Sequence, residues 1–535
     1  MRAVAKILGA DIEFGNFIES AHANAGQAQA AYRLLAAIDG VPALAPWHAP
    51  AGAYGAYSGT GFAPASGAWP GSGWSGGFEP GYDDPQDGGR KYLVSGIVGG
   101  AAYIDLLHLE LCLPEVRSAR DYCTYRNAMF LLAQRARAAA QEGLAGRLVV
   151  MANNSDRLGA SWGGHLNVCI SRDLFDRLFG RMYPELFVWS AFLASSILFS
   201  GQGKVGSENG RLWAPYQISQ RADFFEQIGG ASAVMTTHFR PMVNARDEAH
   251  VAQATGLARL HNIFHDTTLC DTAGYLTAGL SQLVLAMLET GWCDTGVMLE
   301  DPLHALSAWS RDPDLHATAR LVDGRTVTAI DHQRLFLDAA RRFAASDDAH
   351  VVPEATEIVR LWETTLDQLA ARDWGTLARK LDWVLKRTLL SRLADRGLGW
   401  DSAPVRAADL LFASVDPADG LFLAVLAAGG VDRLVSSEDV EHAGREPPED
   451  TRAWGRTMLL RGLDRDAIAS INWDEIVLRP DRVGALPRRV AFPDPRRHGR
   501  ADMEQILNLL NPGMAAPVHT DGRSITPRNP KEISA

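Results

Sequence analysis

Asp11 and Glu13 stand two positions apart in the apolar run ILGADIEFGNF, just ahead of Gly15. Residues i and i+2 of a strand point the same way, so both carboxylates share one face while Ile12 and Phe14 take the other. Two like charges on one face need a cation. A second apolar run, AAYIDLLHLEL, carries Asp105, His108 and Glu110. Read as one regular strand it sets Tyr103 and Asp105 against His108 and Glu110, so a bulge is expected to bring Asp105 and Glu110 together. A third run, GGHLNVCI, puts His165 and Asn167 on one side. Carboxylates with a few imidazoles and no thiolates suit hard divalent ions, Mg²⁺ or Mn²⁺, better than structural zinc. One Asp or His in a strand is more often just a hydrogen-bonded residue, but three runs with the same pattern count against that reading for the set.

Phosphate handling is the second theme. The stretch THFRPMVNARDEAH places Arg240 and Arg246 near an acidic turn that also holds His250, and SQRAD adds Arg221. Guanidinium forks hold phosphoryl oxygens while metals neutralise the remaining charge. The chain contains no GxxxxGK[ST] and no GxGxxG, so neither a P-loop nor a Rossmann fingerprint supplies a nucleotide site.

These residues need elements to position them. After the first strand, AGQAQAAYRLLAAIDG has helical spacing and a terminal Gly. Residues 41–89 are Gly, Ala, Pro, Ser and aromatic with no sustained period, which reads as a flexible insertion, either spacer or lid. KYLVSGIV and AAYIDLLHLEL, separated by Gly-Gly, read as a hairpin, and DYCTYRNAMFLLAQRARAAAQEG as a helix. RADFFEQIGG and EAHVAQATGLARLHNIF also look helical. LFVWSAFLASSILFS falls short of the ~18 uncharged residues of a membrane span and reads as a buried helix. A break near GWDSAPVRAAD divides a catalytic domain, 1–405, from a small C-terminal domain, 406–490, with a loosely ordered tail over 491–535.

Composition agrees with a folded enzyme-sized chain. Its 535 residues are 47% hydrophobic and 21% charged, and the net charge of -11 disfavours nucleic acid as a partner. The five cysteines are odd in number with no CxxC pair, and no secretory segment opens the chain, so a reducing cytoplasm is expected, with no membrane partner.

The motifs GADIEFG, YIDLLHLELCLPE, NNSDRLGASWGGHLNV, FSGQGKVG, QISQRADFFE, RPMVNARDEAH, ARLHNIFHD, LDWVLKR, PPEDTRAWGR and INWDEIV resemble the Pup ligase and depupylase family, relatives of glutamine synthetase. They run in family order from residue 7 to about 478. The five-position step from Asp105 to Glu110 is similar to the depupylase branch, the ligase version carrying one more residue before its Glu. The resemblance implies an α+β fold with a glutamine-synthetase-like curved antiparallel sheet backed by helices, and a small C-terminal domain. It implies ATP and Mg²⁺ as cofactors, and Asp105 as catalytic nucleophile or base. It further implies Asp11, Glu13, Glu110, His165 and His250 as metal ligands, and Arg221, Arg240 and Arg246 as phosphate contacts. The implied activity is hydrolysis of an amide or isopeptide bond at a Gln or Glu side chain of a Pup-like small protein. The alternatives are an ATP-dependent carboxylate-amine ligase acting on a Pup-like protein, peptide or other carboxylate-bearing substrate, and a degenerate homologue that only binds. Five departures from the family pattern are expected to crowd around the site: Asp11 replaces Glu, HLN replaces HEN at Leu166, HLEL replaces HPEY, His265 replaces a Gly, and the Asn that usually follows has no match in HDTTL.

Overall fold

The computed structural model describes residues 3–19, 23–38, 99–105, 107–180, 184–230, 240–246, 250–463, 467–480 and 486–503. The expected insertion over 41–89 lies outside the described residues, as does the expected tail 491–535 except for residues 491–503.

An eight-stranded sheet organises the chain. Its strands are β1 (Leu8–Ile18), β2 (Ala101–Asp105), β3 (His108–Cys112), β4 (Leu148–Met151), β5 (Gly164–Ser171), β8 (Phe225–Gly230), β9 (Arg240–Asn244) and β10 (Leu257–Asn262), with a two-stranded ladder of β6 (Lys204–Val205) and β7 (Tyr216–Gln217) between them in sequence. The order is β2-β3-β1-β5-β10-β9-β8, and β4 pairs the second half of β1. Pairing is antiparallel except at one edge, where β8 and β9 run parallel, so the sheet is mixed rather than purely antiparallel.

Strand alternation sorts the side chains. Leu8, Ala10, Ile12 and Phe14 of β1, Leu109 and Leu111 of β3, Leu166, Val168 and Ile170 of β5, and Ala258 and Leu260 of β10 all face one large core and are essentially fully buried. Each large side chain so buried stabilises the fold by about 1.5–3 kcal/mol. The covering layer is helical: α1 (Ala23–Ala37), α2 (Ala119–Gln141), α3 (Arg172–Phe179), α4 (Glu185–Ser200) and α5 (Asp271–Thr290). α4 and α5 are apolar almost all round, as helices with neighbours on every side must be, and among the described residues no helix is long and apolar enough to cross a membrane.

Three local expectations change. AAYIDLLHLEL is not one strand: β2 ends at Asp105 and β3 begins at His108, which are register partners. The chain reverses there, without a bulge, and in the absence of any Gly, Asn or Pro to signal a turn. The KYLVSGIV half of the expected hairpin lies outside the described residues. RADFFEQIGG is a short 3₁₀ turn at Ala222–Phe224 followed by β8, and GLARLHN is β10. In β10 the ladder to β5 satisfies the backbone, while Ala258 and Leu260 alternate with Arg259 and His261 between the two faces, and this outcompetes the weak helical spacing.

Beyond α5 the chain is largely helical through α6 (Pro302–Ser310), the hairpin β11 (Thr318–Arg320) and β12 (Thr326–Thr328), α7 (Ala329–Ala344), α8 (Ala355–Ala371), α9 (Trp374–Leu377), α10 (Asp382–Leu393), α11 (Ala403–Leu411), α12 (Leu421–Ala427) and α13 (Ser437–Ala443). The last three lend Val405, Phe422 and Val440 to the large core. A second, smaller core joins α14 (Arg452–Gly462) and the sheet β13 (Ile468–Ile471), β14 (Glu475–Leu478) and β15 (Arg488–Ala491) to Ala101 and Cys112. The boundary at 405/406 stays a proposal, and by core membership the smaller unit is the stretch from α14 onward. Glu115 ties it down. Its carboxylate, 2.6 Å from Arg452 Nε and 2.7 Å from Arg456 Nη2, would be raised by burial, but the two guanidiniums outweigh that and hold it near 2.

Candidate metal and phosphate site

The face opposite the large core collects the chemistry. Register places Asp11 across from Cys112 on one side and His165 on the other, and Glu13 across from Glu110. The reversal after Asp105 sets Tyr103 across from Glu110 and Asp105 across from His108, so one hairpin delivers both carboxylates to the same face. On β10, His261 is partnered by Asn167.

Two clusters result. In the first, ligand atoms of Glu13, Asp105 and Glu110 lie within 4.8 Å of one another; in the second, those of Asp11, His165 and His261 do. Burial and the neighbouring Asp105 push Glu13 up to about 8, against the pull of Arg221, and burial with Asp105 and Glu13 raises Glu110 well above the carboxylate range. Carboxylates this crowded keep their protons unless a cation joins them. Burial, reinforced by nearby arginines, keeps His165 and His261 neutral, the state in which imidazole ligates metal. His165 Nε2 sits 3.5 Å from Glu13 Oε1, which links the clusters.

A supporting layer orients these groups. Asn167 accepts from His261 Nδ1 at 2.7 Å and donates to Asp11 Oδ2 at 3.0 Å, while Tyr103 donates to Glu110 Oε1 at 2.6 Å. Such second contacts fix tautomer and aim. Ahead of His165, a Cβ on Gly163 would fall inside the imidazole, so this approach needs glycine. His108 stacks on Trp162 with centroids 4.7 Å apart, and burial lowers it to about 4.

Guanidiniums border the carboxylates. Arg221 is buried and donates to the carbonyl of Ile263 and to Ser161 Oγ at 3.3 Å, and Arg240 donates to Ser161 O at 3.0 Å. Burial and the adjacent Arg240 disfavour the charge on Arg221, and Glu13 only partly offsets this. Two cations side by side, one of them buried, favour an anion between them. Arg246 and Arg259 add positive charge around His165 and His261.

Eight of the nine residues singled out by sequence therefore share this face: Asp11, Glu13, Asp105, Glu110, His165, Arg221, Arg240 and Arg246. His250 does not join it. Its ring lies 4.0 Å from Asp474 of the C-terminal sheet and its carbonyl accepts from Arg452, so it belongs to the contact with the smaller unit. His261 is the imidazole that lies with Asp11 and His165 instead. Sequence reasoning set Asn167 beside His165 but gave it no role, and passed over Arg259 and Tyr103 as site residues, although Arg259 and His261 alternate outward in a run that reads equally well as a strand.

The departures from the family pattern fall mostly elsewhere. Leu166, Leu109 and Leu111 all point into the large core, away from the carboxylates, so none of them removes a ligand. His265 is buried, edge-on to Phe264.

Fold and site together define an enzyme whose reacting groups are laid out on one face of a mixed sheet. The chain belongs to the Pup-ligase family: the family model for Pup-ligase protein matches residues 6–477. It is similar to the depupylase of Acidothermus cellulolyticus, 35% identical over 414 residues that span 77% of this chain and 80% of that protein. It is also similar to the Pup–protein ligase of Kineococcus radiotolerans, 33% identical over 421 residues, 77% of this chain and 89% of that one. Among solved structures, the complex between Pup and its ligase PafA matches with a TM-score of 0.72 at 22% identity, covering 95% of this chain and 92% of that one. PafA in complex with ADP matches with a TM-score of 0.67 at 24% identity, covering 79% and 90%. At these identities the likeness is one of fold.

Proposed function

We propose that this chain is an ATP- and Mg²⁺-dependent enzyme of depupylase type, cleaving an amide or isopeptide bond at a Gln or Glu side chain of a Pup-like protein. The observation that carries it is the convergence of Glu13, Asp105 and Glu110 beside Arg221 and Arg240. The residues fit the cofactors: oxygen-rich clusters for Mg²⁺, clustered guanidiniums for phosphates. Glu13, Glu110, Asp11, His165 and His261 would hold the ions, and Arg221, Arg240, Arg246 and Arg259 the phosphates. Bound ions would supply electrostatic stabilisation of the oxyanion and lower the proton affinity of Asp105.

Asp105 then has two routes. It takes a proton from a water that attacks the carbonyl carbon, forming the C–O bond as the C–N bond breaks, and passes that proton to the departing nitrogen; or its own oxygen attacks first, the C–N bond breaks as the nitrogen takes up a proton and leaves, and water then hydrolyses the resulting mixed anhydride to free the product carboxylate and Asp105. The five-residue step to Glu110, built as a hairpin, sets Asp105 beside the carboxylates that would hold an ion. Two relatives of nearly equal identity bear hydrolase and ligase names, so the ligase direction is the second reading. The degenerate-binder reading loses its motive, since Leu166 never faced the site.

Incubating the protein with ATP, Mg²⁺ and either a Pup conjugate or a Pup ending in Gln should release free target or ammonia. Absence of both, with Asp105→Asn indistinguishable from wild type, refutes the reading. ADP and phosphate produced only when an amine is added would favour the ligase.

A further inference from the structure

One side chain on the metal face belongs to neither cluster's hard chemistry. Cys112 is 1% exposed and is the direct register partner of Asp11, two residues from Glu110 on the same strand. Its sulfur and one carboxylate oxygen each of Asp11 and Glu110 lie within 4.8 Å of one another. Asp11 is shared with the imidazole cluster and Glu110 with the carboxylate cluster, so the sulfur stands between the two. Sγ also contacts Tyr103 Oη at 3.2 Å and Glu110 Oε1 at 3.8 Å. Among the described residues, no other cysteine takes part in such a group.

Resting on the reading of this face as a metal site, we propose that Asp11, Glu110 and Cys112 form a third ion position, selective for a thiophilic divalent cation of the Zn²⁺ class. Sulfur is a poor ligand for Mg²⁺ and a strong one for Zn²⁺, Co²⁺ or Cd²⁺. Sγ and Glu110 Oε1 stand 3.8 Å apart and no pair of the three atoms exceeds 4.8 Å, against about 3.5 Å between ligands of one tetrahedral ion with bonds of about 2.3 Å to sulfur and about 2.0–2.2 Å to oxygen, so binding draws the three atoms together. On binding, the metal–sulfur and metal–oxygen bonds form as the thiol proton and the proton retained on Glu110 leave to solvent. Because the soft ion takes Asp11 and Glu110 for itself, it empties both hard-ion positions, so the position acts as an inhibitory one.

The full chain titrated with Cd²⁺ or Co²⁺ tests this optically. A thiolate-to-metal charge-transfer band should grow to saturation at one ion per chain, disappear in Cys112→Ser, and persist in Cys169→Ser. The cadmium NMR shift of the wild-type complex gives a second readout that needs no variant, and should be displaced toward that of a sulfur-ligated ion. A wild type that binds Mg²⁺ but shows neither the band nor the shift overturns this inference and leaves the proposed function standing; so does a band that survives in Cys112→Ser. Conversely, a sulfur band in a protein that binds no Mg²⁺-nucleotide supports the soft site and counts against the depupylase reading.

Discussion

The two faces of the central sheet are built from the same strands and differ in almost every respect. On β1, Ala10, Ile12 and Phe14 disappear into a helical layer, while Asp11 and Glu13, one residue out of phase, meet carboxylates and imidazoles. On β3 the same alternation sends Leu109 and Leu111 inward and His108 and Glu110 outward. The apolar face holds the backbone rigid, and that rigidity makes it possible to keep Glu13 and Glu110 opposite one another despite their mutual repulsion. A site of crowded like charges is costly by itself, and here the core behind it supplies the offsetting stability.

That contrast is open to direct attack. Asp105→Asn should show the largest effect, a loss of about 10²–10⁴ in turnover with no loss of thermal stability, because the change removes a proton acceptor and relieves charge. Steady-state rates with a melting curve check it. Leu166→Glu restores the carboxylate usual in the family, yet here it enters the apolar face. We expect a destabilisation of about 3–5 kcal/mol, as for an unpaired buried charge, and no gain in Mg²⁺ affinity by calorimetry. Leu109→Ala should cost about 2–5 kcal/mol in denaturant unfolding and leave the rate per folded molecule nearly unchanged.

Protons provide a gentler probe of the polar face. Glu13 is raised from 4.5 to about 8, so between those values the ion-free native state holds a proton that the unfolded chain has released. Stability of the ion-free protein should therefore fall as pH rises through that window. Divalent-ion binding must expel the same proton together with the one Glu110 retains, so affinity should climb as pH rises through that window. Glu13→Gln should lower that slope without abolishing it.

Much of this was legible in the sequence, for a definite physical reason. Period-two alternation in ILGADIEFGNF and GGHLNVCI states directly which residues share a face, and the family resemblance follows motifs carried by these same strands. What escaped was register and reversal. AAYIDLLHLEL has no turn residue, so nothing local announces that the chain doubles back after Asp105; the pairing of β3 with β1 imposes it. LARLHN satisfies helical and strand spacing alike, and its β identity comes from β5 beside it, so nothing local announced that Arg259 and His261 share the polar face. Leu166 looked like a lost ligand for a simpler reason: a substitution read without its parity has no face.

The central claim is that two ion positions lie side by side on the polar face of the sheet. Crystals grown with Mn²⁺ and a non-hydrolysable nucleotide, measured for anomalous scattering, test it most directly. The account predicts one peak within bonding distance of Glu13 and Glu110 beside Asp105, and another among Asp11, His165 and His261. Peaks confined to other surfaces, with these side chains ligating nothing, would contradict it.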